Sequence, residues 1–212
     1  MKYFFNMLLV GGFLIVHCAY SGQPEYPSTY EFSFDNISRW SINSTNSTIS
    51  PYIESASGGR KFLNLESSGI ISTLTYDRPI DIKSSYRVKF RALIASYGTA
   101  GWPLRVLVKS GAVNLILIVD YRGVSIIDQF GEKQILASSP SVGQWHDYDI
   151  KVNYSHAELS IDGGNSIPIN SLKFSDQPPM IQLSANALNS DNNVHAKIDH
   201  LAVIPDPIIF QE

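Results

Sequence analysis

From Tyr86 onward the chain alternates. Tyr86, Val88, Phe90 and Ala92 are apolar, and Arg87, Lys89 and Arg91 between them are charged. That is the period of two of a half-buried strand, with one apolar and one charged face. Leu104, Val106 and Val108 alternate with Arg105, Leu107 and Lys109. His146, Tyr148, Ile150 and Val152 alternate with Asp147, Asp149, Lys151 and Asn153. Leu115 to Val119 is apolar at every position, as in a central strand. Val124 to Ile127, Gln134 to Ala137, Ala157 to Ile161, Met180 to Ser184 and His195 to Ile204 add further strands. Tyr121-Arg122-Gly123, Phe130-Gly131 and Asp162-Gly163-Gly164 predict the turns between them, with glycine supplying the special backbone angles. Helical periodicity is confined to a single turn near Asp35 to Trp40, which Asp35 can cap. Ser41 to Ser50 reads as a loop, and Pro205-Asp206-Pro207 ends regular structure. Many short strands with Gly, Pro and Asn punctuation predict an all-β fold, a sandwich or a barrel.

The N-terminus differs. Lys2 precedes an apolar run from Tyr3 to Val16, followed by small residues. This is the layout of a secretory signal peptide over residues 1–21, cleaved after Cys18 or Ser21. The run is short for a membrane anchor, which needs about 20 apolar residues, so no membrane span is expected after cleavage. Residues 22–212 then form a single domain. Cys18 is the only cysteine of the 212 residues, so the mature domain is expected to carry no disulfide and to be held by its core. The secreted, extracellular route gives meaning to four glycosylation sequons at Asn36, Asn43, Asn46 and Asn153.

Two segments carry a family resemblance. Val142-Gly143-Gln144-Trp145-His146 opens a strand, and Ala157-Glu158-Leu159-Ser160-Ile161-Asp162-Gly163 follows it. The pair resembles the hairpin of concanavalin A-like lectin/glucanase sandwiches, the laminin-G and pentraxin-like members above all. Tyr30 to Asp35 with Trp40 is similar to their opening strand. Lys197 to Val203 is similar to their closing strand, which returns beside the first. MAM domains share the layout but resemble disulfide-stapled modules, and this chain lacks those cysteines. The resemblance implies an antiparallel two-sheet jelly-roll β-sandwich. Within it, Trp145 is expected to plug the core or cover a sheet edge.

Catalytic glucanases of that superfamily resemble one another in a strand of the form Glu-x-Asp-x-(x)-Glu, because only carboxylates on one face can flank a glycosidic bond. The nearest match is Asp147-Tyr148-Asp149, with no third acid, and a solvated outer face of an edge strand is the expected reading. Tyr97, Tyr121, Tyr148, His146, His195, Arg91, Arg105 and Arg122 supply the residue types of a polysaccharide lyase but no spacing that joins them. No zinc, phosphate-loop or nucleophile-elbow pattern occurs. Asp191-Asn192-Asn193 is an oxygen-rich loop of the hardness calcium prefers, but no full set of six or more ligands can be read there, so an ordinary polar loop and no cofactor are expected.

Charge is segregated along the chain. The total is -3, with no global basic excess of the kind that suits nucleic acid. Residues 60–109, however, hold nine Lys/Arg against three acids, a net of +6, while residues 110–212 hold five against twelve, a net of -7. If the strands carrying Arg87, Arg91 and Arg105 neighbour one another, they make a basic surface. The loop between them carries Tyr97 and Trp102, an aromatic pair able to stack on a sugar. The alternative is a ladder neutralised by acids from elsewhere. The expected function is a secreted, non-catalytic, lectin-like protein that binds an extracellular glycan, acidic glycans being among the candidates, through Tyr97, Trp102, Arg105, Arg91 and Arg87. A carbohydrate-active enzyme of the same fold and an adhesive protein that binds other proteins are the alternatives.

Overall fold

The structure is a computed structural model. It describes residues 5–10, 13–18, 30–32, 34, 40–43, 51–68, 71–76, 80, 85–111, 113–128, 130–153, 156–169, 179–188 and 192–206. Regular structure among these residues is entirely strand. The chain divides into two units, residues 28–206 and the combined ends 1–27 and 207–212. In the terminal unit, β1 (Phe5–Val10) and β2 (Phe13–Cys18) pair antiparallel, with Val10 opposite Phe13.

The main unit is a sandwich of two antiparallel sheets. One holds, in spatial order, β12 (Lys133–Ala137), β11 (Gly123–Ile127), β10 (Val113–Asp120), β9 (Trp102–Ser110), β16 (Pro179–Asn186), β7 (Ile71–Tyr76) and β4 (Trp40–Asn43). We call it the front sheet. The back sheet runs β15 (Ile167–Ile169), β14 (Ala157–Ile161), β13 (Trp145–Val152), β8 (Tyr86–Ser96), β17 (Asn193–Pro205), β6 (Lys61–Ser68) and β5 (Tyr52–Ser55), with β3 (Tyr30–Phe32) also beside β17. The closing strand thus returns beside the opening one, with Leu201 opposite Phe32.

Alternation builds the interior. The apolar face of β8 meets the apolar faces of β9, β10 and β16, so Val88, Phe90, Val106, Leu117 and Leu183 are buried in one cluster. Phe90 and its cross-strand neighbour Tyr148 stack at 4.7 Å between ring centroids. Trp40 meets Tyr76 edge-on at 5.3 Å. Each large apolar side chain buried this way contributes about 1.5–3 kcal/mol.

Three expectations need correction. β13 is an inner strand flanked by β8 and β14, not an edge. Trp145 therefore neither plugs the interior nor covers an edge; it lies on the outer face, 5.1 Å from Phe62. Trp40 opens β4 instead of closing a helical turn, and residues 35–39 of that turn lie outside the described residues.

Between β8 and β9 the chain crosses from the back sheet to the front sheet. Gly98 and Gly101 make the crossing at φ +62° and +106°, where L side chains are strained. A Cβ on Gly101 would collide with the Asn186 carbonyl oxygen, and one on Gly98 with the Asn192 amide. The buried Asn192 side chain clamps this crossing. Its oxygen accepts from the Thr99 N–H at 2.5 Å, and its Nδ2 donates to the Ala100 carbonyl. Gly101→Ala is expected to cost about 2 kcal/mol through backbone strain and that collision. Urea unfolding should show a lower midpoint with an unchanged slope.

Candidate functional site

The outer face of the back sheet is a charge ladder. Arg87 and Lys89 on β8 both meet Asp149 on β13, Lys89 at 3.4 Å. Arg91 lies between Asp147 at 3.9 Å and Asp199 at 3.7 Å, with its guanidinium 5.6 Å from the centre of the Trp145 ring. Arg60 completes the Asp199 pair at 3.4 Å. Asp147 and Asp149 thus serve as counter-charges on a packed strand. Exposed pairs of this type contribute about 0–1 kcal/mol each. Further along the face, Lys197 donates to Glu54 at 2.6 Å and Asn64 Nδ2 donates to the same carboxylate at 3.1 Å. The Asn64 oxygen is therefore an acceptor, so the His195 Nε2 at 2.8 Å carries a proton and donates to it.

The outer face of the front sheet is different. Arg105 on β9 stands between Ile118 on β10 and Ser184 on β16, its direct cross-strand neighbours. The next pair along β16 is Asn186 opposite Trp102. Only Ala185 separates Ser184 from Asn186, whereas Pro103 and Leu104 separate Trp102 from Arg105. β9 therefore carries one extra residue, a bulge, at a proline that has no N–H to give to the ladder. Without it, Trp102 would share the inward face of Leu104 and Val106. With it, Trp102 faces outward beside Arg105, and it is no part of the interior cluster nor packed against it.

Trp102, Arg105, Ser184 and Asn186 form a two-by-two patch. Trp102 Nε1, Ser184 Oγ and Asn186 Oδ1 are all shielded from water, with no hydrogen-bond partner among the described residues. Such groups cost about 1–3 kcal/mol each. The one hydrogen bond of the Arg105 side chain among the described residues is a long one, 3.5 Å to Gln182 Oε1. Burial pulls its guanidinium below the usual arginine range. From Arg105 toward β12 the face is mostly apolar, with Leu107, Ile116 and Ile127 in a cross-strand row that Lys133 ends, and Ile118, Ser125 and Ile135 in the next. Toward β7 it is polar, with Gln182 Nε2 donating to Thr75 Oγ1 at 3.1 Å.

The five expected binding residues are therefore not one constellation. Arg87 and Arg91 lie on the back sheet and Arg105 on the front one, and outward residues of two packed sheets point apart. The basic surface that depended on neighbouring strands does not form, because β8 and β9 belong to different sheets. Tyr97 packs on the core and donates its hydroxyl to the Pro140 carbonyl at 2.6 Å. Burial, with the nearby Asp120 charge, pushes that hydroxyl up to about 12. Trp102 and Arg105 do come together. Sequence reasoning passed over Ser184, Asn186 and Gln182, for which the alternation along Met180 to Ser184 was the available signal.

The remaining candidates are scattered. His146 Nδ1 meets the Asp162 carboxylate at 2.7 Å, at the turn where Asp162 adopts φ 52°. Asp120 accepts from the Arg122 N–H at 2.8 Å and from Lys133 at 3.1 Å. It is the only carboxylate on the strands of the front face among the described residues, so no carboxylate pair flanks a substrate there. The lyase residues divide likewise, with His195 on the back outer face and Arg105 on the front. Asn192 of the oxygen-rich loop commits its amide to the crossing, and Asp191 lies outside the described residues. No cluster of three His, Cys, Asp or Glu that could hold a metal occurs among the described residues. Of the sequons, Asn36 and Asn46 lie outside the described residues, and Asn43 is described by its backbone in β4. Asn153 follows β13, with Nδ2 2.8 Å from His156 Nε2.

Titration on the back face has a definite sign. Burial, assisted by the Lys197 charge, holds His195 below the usual histidine value despite Glu66 and Glu54. The folded state thus binds its proton more weakly than the unfolded state does. This contribution to stability is present above about pH 6.5 and is lost as pH falls through the depressed folded value. His195→Gln, which keeps a donor toward Asn64, should lose less stability than wild type between about pH 7 and pH 5. Asp162 is also held low, because its bonds from His146 and the Asp147 N–H outweigh its burial. Its contribution disappears below about pH 4 in both proteins. Urea midpoints across pH check both limbs.

No family model and no curated protein matches the chain. Solved structures do. The potassium-bound carbohydrate recognition domain of Emp46p is 13% identical, with a TM-score of 0.53 over 82% of this chain and 91% of that one. Lectin II from Ulex europaeus is 11% identical, with a TM-score of 0.57 over 85% and 99%. The Crh5 transglycosylase in complex with NAG is 12% identical, with a TM-score of 0.59 over 86% of each chain. At such identities the likeness is one of fold. Residues 28–206 have the concanavalin A-like jelly-roll fold, as the hairpin motifs and the paired first and last strands suggested.

Proposed function

We propose that this chain is a secreted, non-catalytic glycan-binding protein whose ligand lies across the outer face of the front sheet at Trp102 and Arg105. The observation that carries the reading is the composition of that face. An indole, a cation and three unpartnered polar atoms stand at the boundary between an apolar stripe and a polar one. A sugar has the same division, with C–H faces that pack on indole and aliphatic groups and hydroxyls that satisfy stranded donors and acceptors. The carbohydrate recognition domain, the lectin and the transglycosylase of like fold support the class of ligand. The lack of a carboxylate pair on the described strands of this face favours binding over hydrolysis. Residues 1–21 act as a signal peptide in this reading, and Asn36, Asn43, Asn46 and Asn153 are glycan acceptors.

A second reading, an adhesive protein that binds other proteins, is favoured by the exposed Ile135 and Phe130 at the apolar end of the sandwich. A glycan array probed with and without calcium separates the two. Binding that is unchanged by chelation is expected, and silence across the array would sink the glycan reading. Trp102→Ala should weaken binding about tenfold or more, as loss of a central aromatic anchor does, while the unfolding midpoint stays near that of wild type. Undiminished binding would remove Trp102 from the site.

A further inference from the structure

Resting on the glycan-binding reading of this face, we infer that the ligand is a carboxylate-bearing sugar whose carboxylate is held by Arg105. Five arginines are described: Arg60, Arg87, Arg91, Arg105 and Arg122. Four of them have an aspartate within 4.0 Å: Asp199, Asp149, Asp147 with Asp199, and Asp120 in turn. Arg105 has none among the described residues, although it is half-buried in the middle of a sheet. A desolvated cation without a counter-charge is unfavourable, and each of the other four described arginines has an acid beside it.

The described acceptors around Arg105 are neutral ones, Gln182 Oε1, Ser184 Oγ and Asn186 Oδ1. The guanidinium offers five N–H groups, and one long bond to Gln182 engages a single nitrogen. Among the described residues, Trp102 Nε1 is a further donor without an acceptor and the Ser184 hydroxyl has no partner. One atom in the patch wants a donor, the Asn186 Oδ1. A sugar acid supplies both needs in one molecule. Its two carboxylate oxygens match the planar guanidinium fork, and a ring hydroxyl can donate to Asn186. A sulfate ester would bring a third charged oxygen to a site whose other cross-strand neighbour is the apolar Ile118. Because the unpartnered atoms are closed to solvent in the free protein, the Trp102 indole shifts as the ligand enters.

The test is calorimetric titration of the full chain with a sialylated oligosaccharide, a glucuronate oligosaccharide, the carboxyl-reduced form of each, and a sulfated galactose oligosaccharide. At least one carboxylated probe should bind about tenfold more tightly than its reduced form, and which one does identifies the source of the carboxylate. Arg105→Gln should bring that probe to the level of its reduced form. Arg105→Lys, which keeps the charge without the fork, should lose most of the preference. Arg87→Gln, on the opposite face, should retain it. If Arg105→Gln fails to fold, the lysine variant decides. Equal binding of carboxylated and reduced probes would overturn the inference and leave the glycan reading intact. Tighter binding of the sulfated probe, or an unchanged preference in both Arg105 variants, would also overturn it. No binding by any probe would remove both.

Discussion

The structure depends on burial of one face of each sheet against the other. No cysteine occurs after Cys18, so nothing covalent holds residues 28–206 together, and their cohesion comes from the interior shared by the two sheets. That interior is set by alternation. Once Val88 and Phe90 point in, Arg87, Lys89 and Arg91 must point out, because successive side chains on a strand face opposite ways. The same rule on β9 sends Arg105 and Lys109 out from the front sheet. The burial that makes the fold thereby splits the basic segment of residues 60–109 across two opposite surfaces.

The two surfaces then differ in how charge is met. On the back sheet, β13 brings Asp147 and Asp149 directly opposite Arg91 and Lys89. The acids of the second half of the chain neutralise the cations of the first, and what remains is a solvated ladder with Trp145 and Phe62 laid across it. On the front sheet, the neighbours of β9 offer Ile118 and Ser184, neither of which is charged. Arg105 is left with the long bond to Gln182. The bulge at Pro103 adds the second element, turning Trp102 out of the interior to stand beside that cation. One extra residue thus decides whether the front face carries an aromatic anchor.

Much of this was legible in the sequence. β8, β9, β10, β13 and β17 each announce themselves by period or by a continuous apolar run, and the turn glycines separate them. The less regular strands were harder to read. β6 interrupts its apolar face with the buried Ser67, which accepts from the Ala187 N–H at 3.3 Å. β15 is three residues long with Pro168 at its centre. The allocation of strands to sheets was not legible, because β8 and β9 adjoin in sequence yet pair with distant partners in different sheets. The setting of Tyr97 was equally hidden. Its hydroxyl is taken by Pro140, a partner 43 residues away that no local pattern reveals. Pro103 in a strand was a readable sign of the bulge, since a proline inside a ladder calls for one.

The central claim is that the front face, and not the arginine-rich back face, meets the ligand. Amide and indole chemical-shift mapping of the full chain during titration with a bound oligosaccharide tests this most directly. The largest shifts should fall on the Trp102 indole N–H and on the amides of Arg105, Ser184 and Asn186. Shifts centred instead on Arg87, Arg91 and Asp149 would contradict it.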